Sequence, residues 1–166
     1  MTINNETPIN NDTPINESTV NETAIVPAAA GNDIVANFAS ASGAMYCSFS
    51  PETDDDRAVL YNAMNAPDVK IADHIGQEIN VRDIIVEPVE IVDDKTGEIR
   101  TSPRVILIDT DGRSYSATSY GIYNALRRLC DKKLFGLPTW PNGVLVRVKQ
   151  IARGANRIFT LDVVRK

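Results

Sequence analysis

The sequence predicts a mainly β fold that follows a low-complexity N-terminal tail. Two observations carry this prediction: residues from 78 onward form β-branched runs of period two separated by turn residues, and the opening residues repeat a short polar unit. The chain has 166 residues, enough for one domain of roughly 100–150 residues and a tail. With 43% hydrophobic and 23% charged residues it is not collagen-like, coiled-coil or wholly disordered.

The tail is predicted over residues 1–42. Its units NNETPI, NNDTPI, NESTV and NETAI are rich in Asn, Thr, Glu and Pro, and each contains one Ile or Val. The small apolar surface of these units cannot offset the loss of conformational entropy on ordering the chain. We therefore expect this segment to be disordered. The folded domain is placed at residues 43–166.

A helical add-on is predicted near residues 51–65. Ser50 suits the N-cap, Pro51 the first helical position, and acids fill the first turn. Ala58, Leu60, Tyr61 and Met64 fall on one face, so we expect the helix to pack on the main domain.

Five strands and a second helix follow. Asp111-Gly112 forms a tight turn, and Gly97 supplies the positive φ for the turn between the first two strands. The segment 119–134 returns to a helical period, with Ile122 and Leu126 on its apolar face. The strands are predicted at residues 78–93, 98–109, 113–117, 144–151 and 157–164.

This order of elements is that of the OB-fold, a five-stranded Greek-key barrel with one helix between its third and fourth strands. Other β-β-β-α-β-β arrangements share the order. OB barrels bind oligonucleotides across strands two and three and adjacent loops.

The charges are divided along the chain. Residues 1–56 contain nine acids and no base, whereas residues 100–166 contain thirteen bases and four acids, a net charge of +9. Such a segment is suited to binding a polyanion, or to being shielded by the acidic N-terminal part of the same chain. The bases that could line a groove, each equally readable as a solvated charge, are Arg100, Arg104, Arg113, Arg147, Lys149, Arg153 and Arg157.

Three rings are candidates for stacking on nucleic-acid bases. Tyr115 lies in the middle of strand three, Tyr120 begins the second helix, and Trp140 stands between two prolines in the following loop. Each also has a structural interpretation. Tyr115 could be a core tyrosine, Tyr120 a core or lid residue, and Trp140 a side chain that fills one end of the barrel.

The stretch RVILIDTDGRSYSATSYGIYNAL at 104–126 resembles the single-stranded-DNA-binding proteins of phi29-like phages, and residues 146–164 are similar to that family's final hairpin. The resemblance covers residues 44–166 in pattern and is most specific at 111–117. It implies an OB-fold protein that coats single-stranded DNA during phage replication without sequence preference, and it implies that Tyr115 stacks on bases. The acidic tail departs from bacterial single-strand binders, where such a tail is C-terminal, so its role is not carried over.

Catalytic, metal and cofactor sites are not expected. The two cysteines and one histidine are too few and too far apart for a zinc site, and no phosphate-binding or nucleophile motif is present. Without a signal sequence or an apolar run of membrane-spanning length, a cytosolic location is expected, and the resemblance to phage proteins implies that this is the cytoplasm of a bacterial host. The expected partners are single-stranded DNA, further copies along the strand, and replication proteins. The alternative is a viral assembly protein whose barrel mediates protein contacts.

Overall fold

A computed structural model describes residues 25–27, 45–93, 96–136, 138, 140–154 and 156–165. The mainly β prediction is confirmed: one sheet curls into a half-barrel and two helices pack against it. The strands are β1 Ile25–Pro27, β2 Met45–Cys47, β3 Val69–Lys70, β4 Glu78–Val92, β5 Ile99–Asp109, β6 Ser114–Thr118, β7 Val144–Arg153 and β8 Asn156–Val163. The helices are α1 Asp54–Asn65 and α2 Tyr120–Leu129, and a 3-10 turn spans Ile71–His74.

Strand β4 organises the sheet. It pairs with β5 from Val81 to Val92, with β7 through its first four residues, and with β2 near its middle. β5 pairs with β6 and β7 with β8, all antiparallel. The remaining edge of β6 pairs in parallel with β3, through Val69↔Tyr115 and Lys70↔Ser116. Among the described residues β8 pairs with β7 alone, so β6 and β8 do not close a barrel.

Both faces of β4 and β5 are buried. On one face Val105 and Leu107 contact the main core, to which α2 contributes Ile122 and Leu126. On the other face the alternate residues of β4 and β5 meet α1 and β2. That second core consists of Met45, Cys47, Leu60, Ala63, Ile85, Ile106 and Ile108. The add-on helix therefore covers one side of the sheet through Leu60 and Ala63, whereas Tyr61, which was predicted on the same face as Leu60, is 67% exposed.

The helix ends differ from the prediction. α1 begins at Asp54, because Thr53 rather than Ser50 is the N-cap: its side chain accepts a hydrogen bond from Asp56 N, and Asp56 caps Thr53 N in return. α2 ends at Leu129 rather than near residue 134, because Asp131 turns the chain and accepts hydrogen bonds from the backbone of residues 134 and 136.

Strand β1 lies inside the range predicted as the tail, and it pairs in parallel with β2. The rest of residues 1–42 lies outside the described residues, so the disorder of the tail stays a prediction. Residues 94 and 95 of the predicted turn also lie outside them, while Gly97 has the expected positive φ of +72°.

Candidate nucleic-acid interface

Tyr115 lies on the inward side of β6. Its ring is 4% exposed and belongs to the main core, and its hydroxyl donates a 2.9 Å hydrogen bond to Oδ2 of Asp109. The ring of His74 packs edge-on at 5.1 Å between centroids. Burial, followed by the hydrogen bond and the charge of Asp109, raises the pKa of Tyr115. Neither face of the ring is open to a base in this arrangement, so stacking by Tyr115 requires the ring to move and stays a prediction.

Arg113 lies next to this ring and is exposed. Its guanidinium carbon is 5.8 Å from the centroid of Tyr115, within cation–π range. The preceding turn fixes its backbone: Oδ1 of Asp109 accepts hydrogen bonds from the backbone N of Asp111 and Arg113, and Gly112 takes φ +85°. Arg113 thus presents its charge to solvent while covering Tyr115.

Four of the predicted groove bases have carboxylate partners. Arg100 binds Asp93 at 2.8 Å. The others are Arg104 with Glu87, Arg147 with Glu78 and Lys149 with Asp162. The sequence could not reveal these pairs. Their members lie 7 to 69 positions apart along the chain and meet only because the strands pair in a particular register. A phosphate that binds these bases has to compete with a protein carboxylate.

Arg104 is the most enclosed of the four. Its guanidinium also donates to the backbone carbonyl of Met64 at the end of α1, and its side chain is 26% exposed. It therefore fastens α1 to the sheet, on the covered face rather than in an open groove. Arg157 is exposed, whereas the side chain of Arg153 lies outside what the structure describes.

The other two candidate rings differ sharply in exposure. Tyr120 is 59% exposed at the start of α2, where its hydroxyl donates to the carbonyl of Thr101 at 3.2 Å. Trp140 is 9% exposed in the main core, and its Nε1 donates to the carbonyl of Phe135 at 3.2 Å. Stacking on Trp140 therefore needs a rearrangement, as it does for Tyr115. Tyr120 has an accessible ring as it stands.

A cavity of about 250 Å³ lies at the unclosed edge of the sheet, beside Tyr120 in the chain. It combines one cation and several hydroxyls, which can bind a phosphate, with an aromatic residue, which can stack on a base. It is lined by Lys70, Ala72, Ser116, Ala117, Thr118, Ser119 and Phe159. Sequence reasoning missed it, because β3 is only two residues long and Lys70 reaches β6 through a contact 46 residues apart along the chain.

Gly121 explains how α2 reaches this edge. A Cβ on Gly121 would lie 2.1 Å from the carbonyl oxygen of Phe159 and 2.5 Å from Ile158 Cγ2. Only glycine allows the first turn of α2 to lie against β8 so closely. The contact fixes Tyr120 and Ser119 relative to Phe159.

The buried thiols offer no nucleophile. Burial raises the pKa of Cys47 to about 11 and that of Cys130 to about 12, so both remain protonated near neutral pH. In the described part of the chain, no three His, Cys, Asp or Glu side chains are grouped to hold a metal ion.

Comparison with known protein families gives a match to the family described as phage single-stranded DNA-binding protein, over residues 39–164. The chain belongs to this family. Single-stranded DNA binding in phage replication is therefore its function at the level of the family. No curated protein and no solved structure matches the chain. Within the described residues, no helix is both long and apolar enough to cross a membrane.

Proposed function

We propose that the protein binds single-stranded DNA without sequence preference at the unclosed edge between β6 and β8. Two observations carry this proposal: the ring of Tyr120 is exposed, and Ser119, the residue before it, lines a cavity together with Lys70 and Phe159. Rings accept any base, and cations hold the phosphates. Arg113, in the turn before β6, and Arg157, two residues before Phe159 on β8, are exposed bases without a carboxylate partner among the described residues.

We also propose that the fold is an OB-type barrel left open on one side. The connectivity supports this: β4, β5 and β6 form a meander, α2 follows, and the β7–β8 hairpin returns to pair with β4. An OB barrel would close by pairing its third and fifth strands, which correspond to β6 and β8. Here β3 occupies the edge of β6, and the candidate cavity lies at the gap.

The ion-paired bases contribute by exchanging partners. The side chains of Arg100, Arg147 and Lys149 are 65%, 44% and 47% exposed, so a phosphate can replace each carboxylate at little cost in desolvation. Contacts from Arg104, Arg153, Tyr115 and Trp140 stay predictions, and those of Arg104, Tyr115 and Trp140 require movement of the present packing.

The proposed partners beyond DNA are further copies of the chain along the strand and other replication proteins, in the cytoplasm of a bacterial host. We propose no catalytic step and no cofactor. The family assignment favours this function over that of a viral assembly protein.

The test is fluorescence anisotropy of a dye-labelled oligothymidine titrated with the full-length protein at low salt, with a duplex of equal length as the control. Tight binding of the single strand and much weaker binding of the duplex are expected, because stacking needs unpaired bases. No anisotropy change with the single strand, or equal affinity for both, would overturn the proposal.

A further inference from the structure

A cluster of four bases lies at the C-terminal end of α2 and in the turn that follows, outside the interface described above. Arg127 and Arg128 are in the last turn of the helix, and Lys132 and Lys133 follow it. All four are exposed. We call them the α2 basic patch. Four bases within seven residues make it the densest positive cluster in the described part of the chain.

The patch is not neutralised by carboxylates. Among the described residues none of its four bases forms an ion pair, in contrast to Arg100, Arg104, Arg147 and Lys149 of the predicted groove. The nearest acid in sequence is Asp131. Its Oδ1 accepts a 2.8 Å hydrogen bond from the backbone N of Lys133 and so shapes the turn. A phosphate can therefore meet these bases without displacing a protein partner.

Helix stability does not account for the whole patch. Bases in the last turn of a helix interact favourably with its macrodipole, which explains Arg127 and Arg128. Lys132 and Lys133 come after the helix ends at Leu129, in a turn whose backbone hydrogen bonds already hold it. Their position calls for another explanation.

An exposed ring adjoins the four bases. Phe135 is 45% exposed and Leu134 is 63% exposed directly after Lys133. The backbone N of Phe135 donates to the carbonyl of Leu129, and its own carbonyl accepts from Nε1 of Trp140, so the ring is held on a fixed backbone. Unpaired cations beside a ring suit a single-stranded nucleic acid, which offers phosphates and bases, better than an acidic peptide, which offers charge alone.

We propose that the α2 basic patch is a second contact for single-stranded DNA, in which its bases bind phosphates and Phe135 stacks on a base. This inference rests on the proposed function. Seven residues of α2 separate Tyr120 from Arg127, the nearest base of the patch, a rise of about 10 Å along the helix. A strand bound at Tyr120 therefore reaches the patch only when it is long enough to follow the helix.

The test compares Lys132→Gln/Lys133→Gln with the wild type in the full-length chain, and thermal melting checks the fold. These two residues lie outside the helix, so their replacement leaves its dipole contacts intact. The matched control is Arg57→Gln/Arg82→Gln, which removes the same charge elsewhere on the surface. Affinities for oligothymidines of about 4 and about 16 nucleotides are measured at several salt concentrations, a range set by the site sizes of such folds.

For the longer strand we expect the double variant to bind more weakly, with the log–log salt slope reduced by about 1.4, since each phosphate contact contributes about 0.7. The control variant should bind both strands as the wild type does, and the loss for the short strand should be smaller than the loss for the longer strand. Unchanged or tighter binding of the longer strand by the double variant would overturn the patch assignment, and tighter binding would indicate an acidic segment at that surface. Failure of the wild type to bind either strand would instead overturn the proposed function.

Discussion

The hydroxyl of Tyr115 donates a 2.9 Å hydrogen bond to Oδ2 of Asp109, inside the sheet and across the turn that joins β5 to β6. The other carboxylate oxygen of Asp109 holds the backbone of that turn. Asp109 thus connects the ring of Tyr115 to the position of Arg113. This relationship makes Tyr115 part of the core in this structure.

Tyr115→Ala should lower the free energy of unfolding by about 3–5 kcal/mol, because a buried aromatic ring is removed. Tyr115→Phe should cost about 1–3 kcal/mol, since it removes a hydrogen bond to a charged acceptor. Urea denaturation followed by circular dichroism measures both. Unchanged stability of Tyr115→Ala together with a loss of oligothymidine affinity would show that the ring stacks on DNA instead.

Tyr120→Ala should weaken oligothymidine binding by about 1–3 kcal/mol, the usual contribution of one stacked base, with little change in stability. Tyr120→Phe should keep most of the affinity, because the ring rather than the hydroxyl stacks. Tyr61→Ala is the control, since Tyr61 is 67% exposed on α1, away from the proposed interface. Equal losses for Tyr61→Ala and Tyr120→Ala, or no loss for either, would contradict the site.

Acid should weaken the attachment of β3 to β6. Oδ2 of Asp68 accepts hydrogen bonds from Ser114 N at 2.8 Å and Ser114 Oγ at 2.7 Å, and these bonds lower the pKa of that carboxyl. A lowered folded-state pKa gives stability that is present above the unfolded value of about 3.9 and is lost as pH falls through the folded value. Asp68→Asn should therefore flatten the decline in stability below about pH 4 in acid titrations of the melting temperature. Asp111→Asn serves as the control, and the same flattening in that variant would argue against a specific role for Asp68.

Deleting residues 1–24 should tighten oligothymidine binding at low salt and leave the fold intact. The deletion removes four acids and no base, so it removes a charge that repels DNA, while β1 is kept. The gain should vanish at high salt because exposed charges are then screened. Weaker or unchanged binding at low salt would contradict the shielding role of the tail. Loss of the thermal transition would show that the domain needs residues 1–24 in order to fold.

The sequence was informative where local physics decides the structure. Period-two runs of β-branched residues predicted the strand β5, and in the structure its alternate residues separate as that period requires: Val105 and Leu107 point to one core, Ile106 and Ile108 to the other. The amphipathic spacing of α2 and the Asp111-Gly112 turn were equally local signals.

The sequence could not decide what depends on long-range pairing. β6 reads SYSAT, without an apolar alternation that would assign Tyr115 to the inside. The parallel pair of β3 with β6 involves only two residues on each strand, too short for any periodicity. The carboxylate partners of the groove bases, such as Glu78 for Arg147, come together only through the sheet register.

The central claim is that phosphates of single-stranded DNA are held by the bases of this sheet and its second helix. The most direct measurement is the slope of log affinity for an oligothymidine of about 16 nucleotides against log salt concentration, with the full-length protein. The account predicts a slope of about −2 or steeper, equivalent to three or more phosphate contacts at about 0.7 each. A slope near zero between low and moderate salt would contradict it.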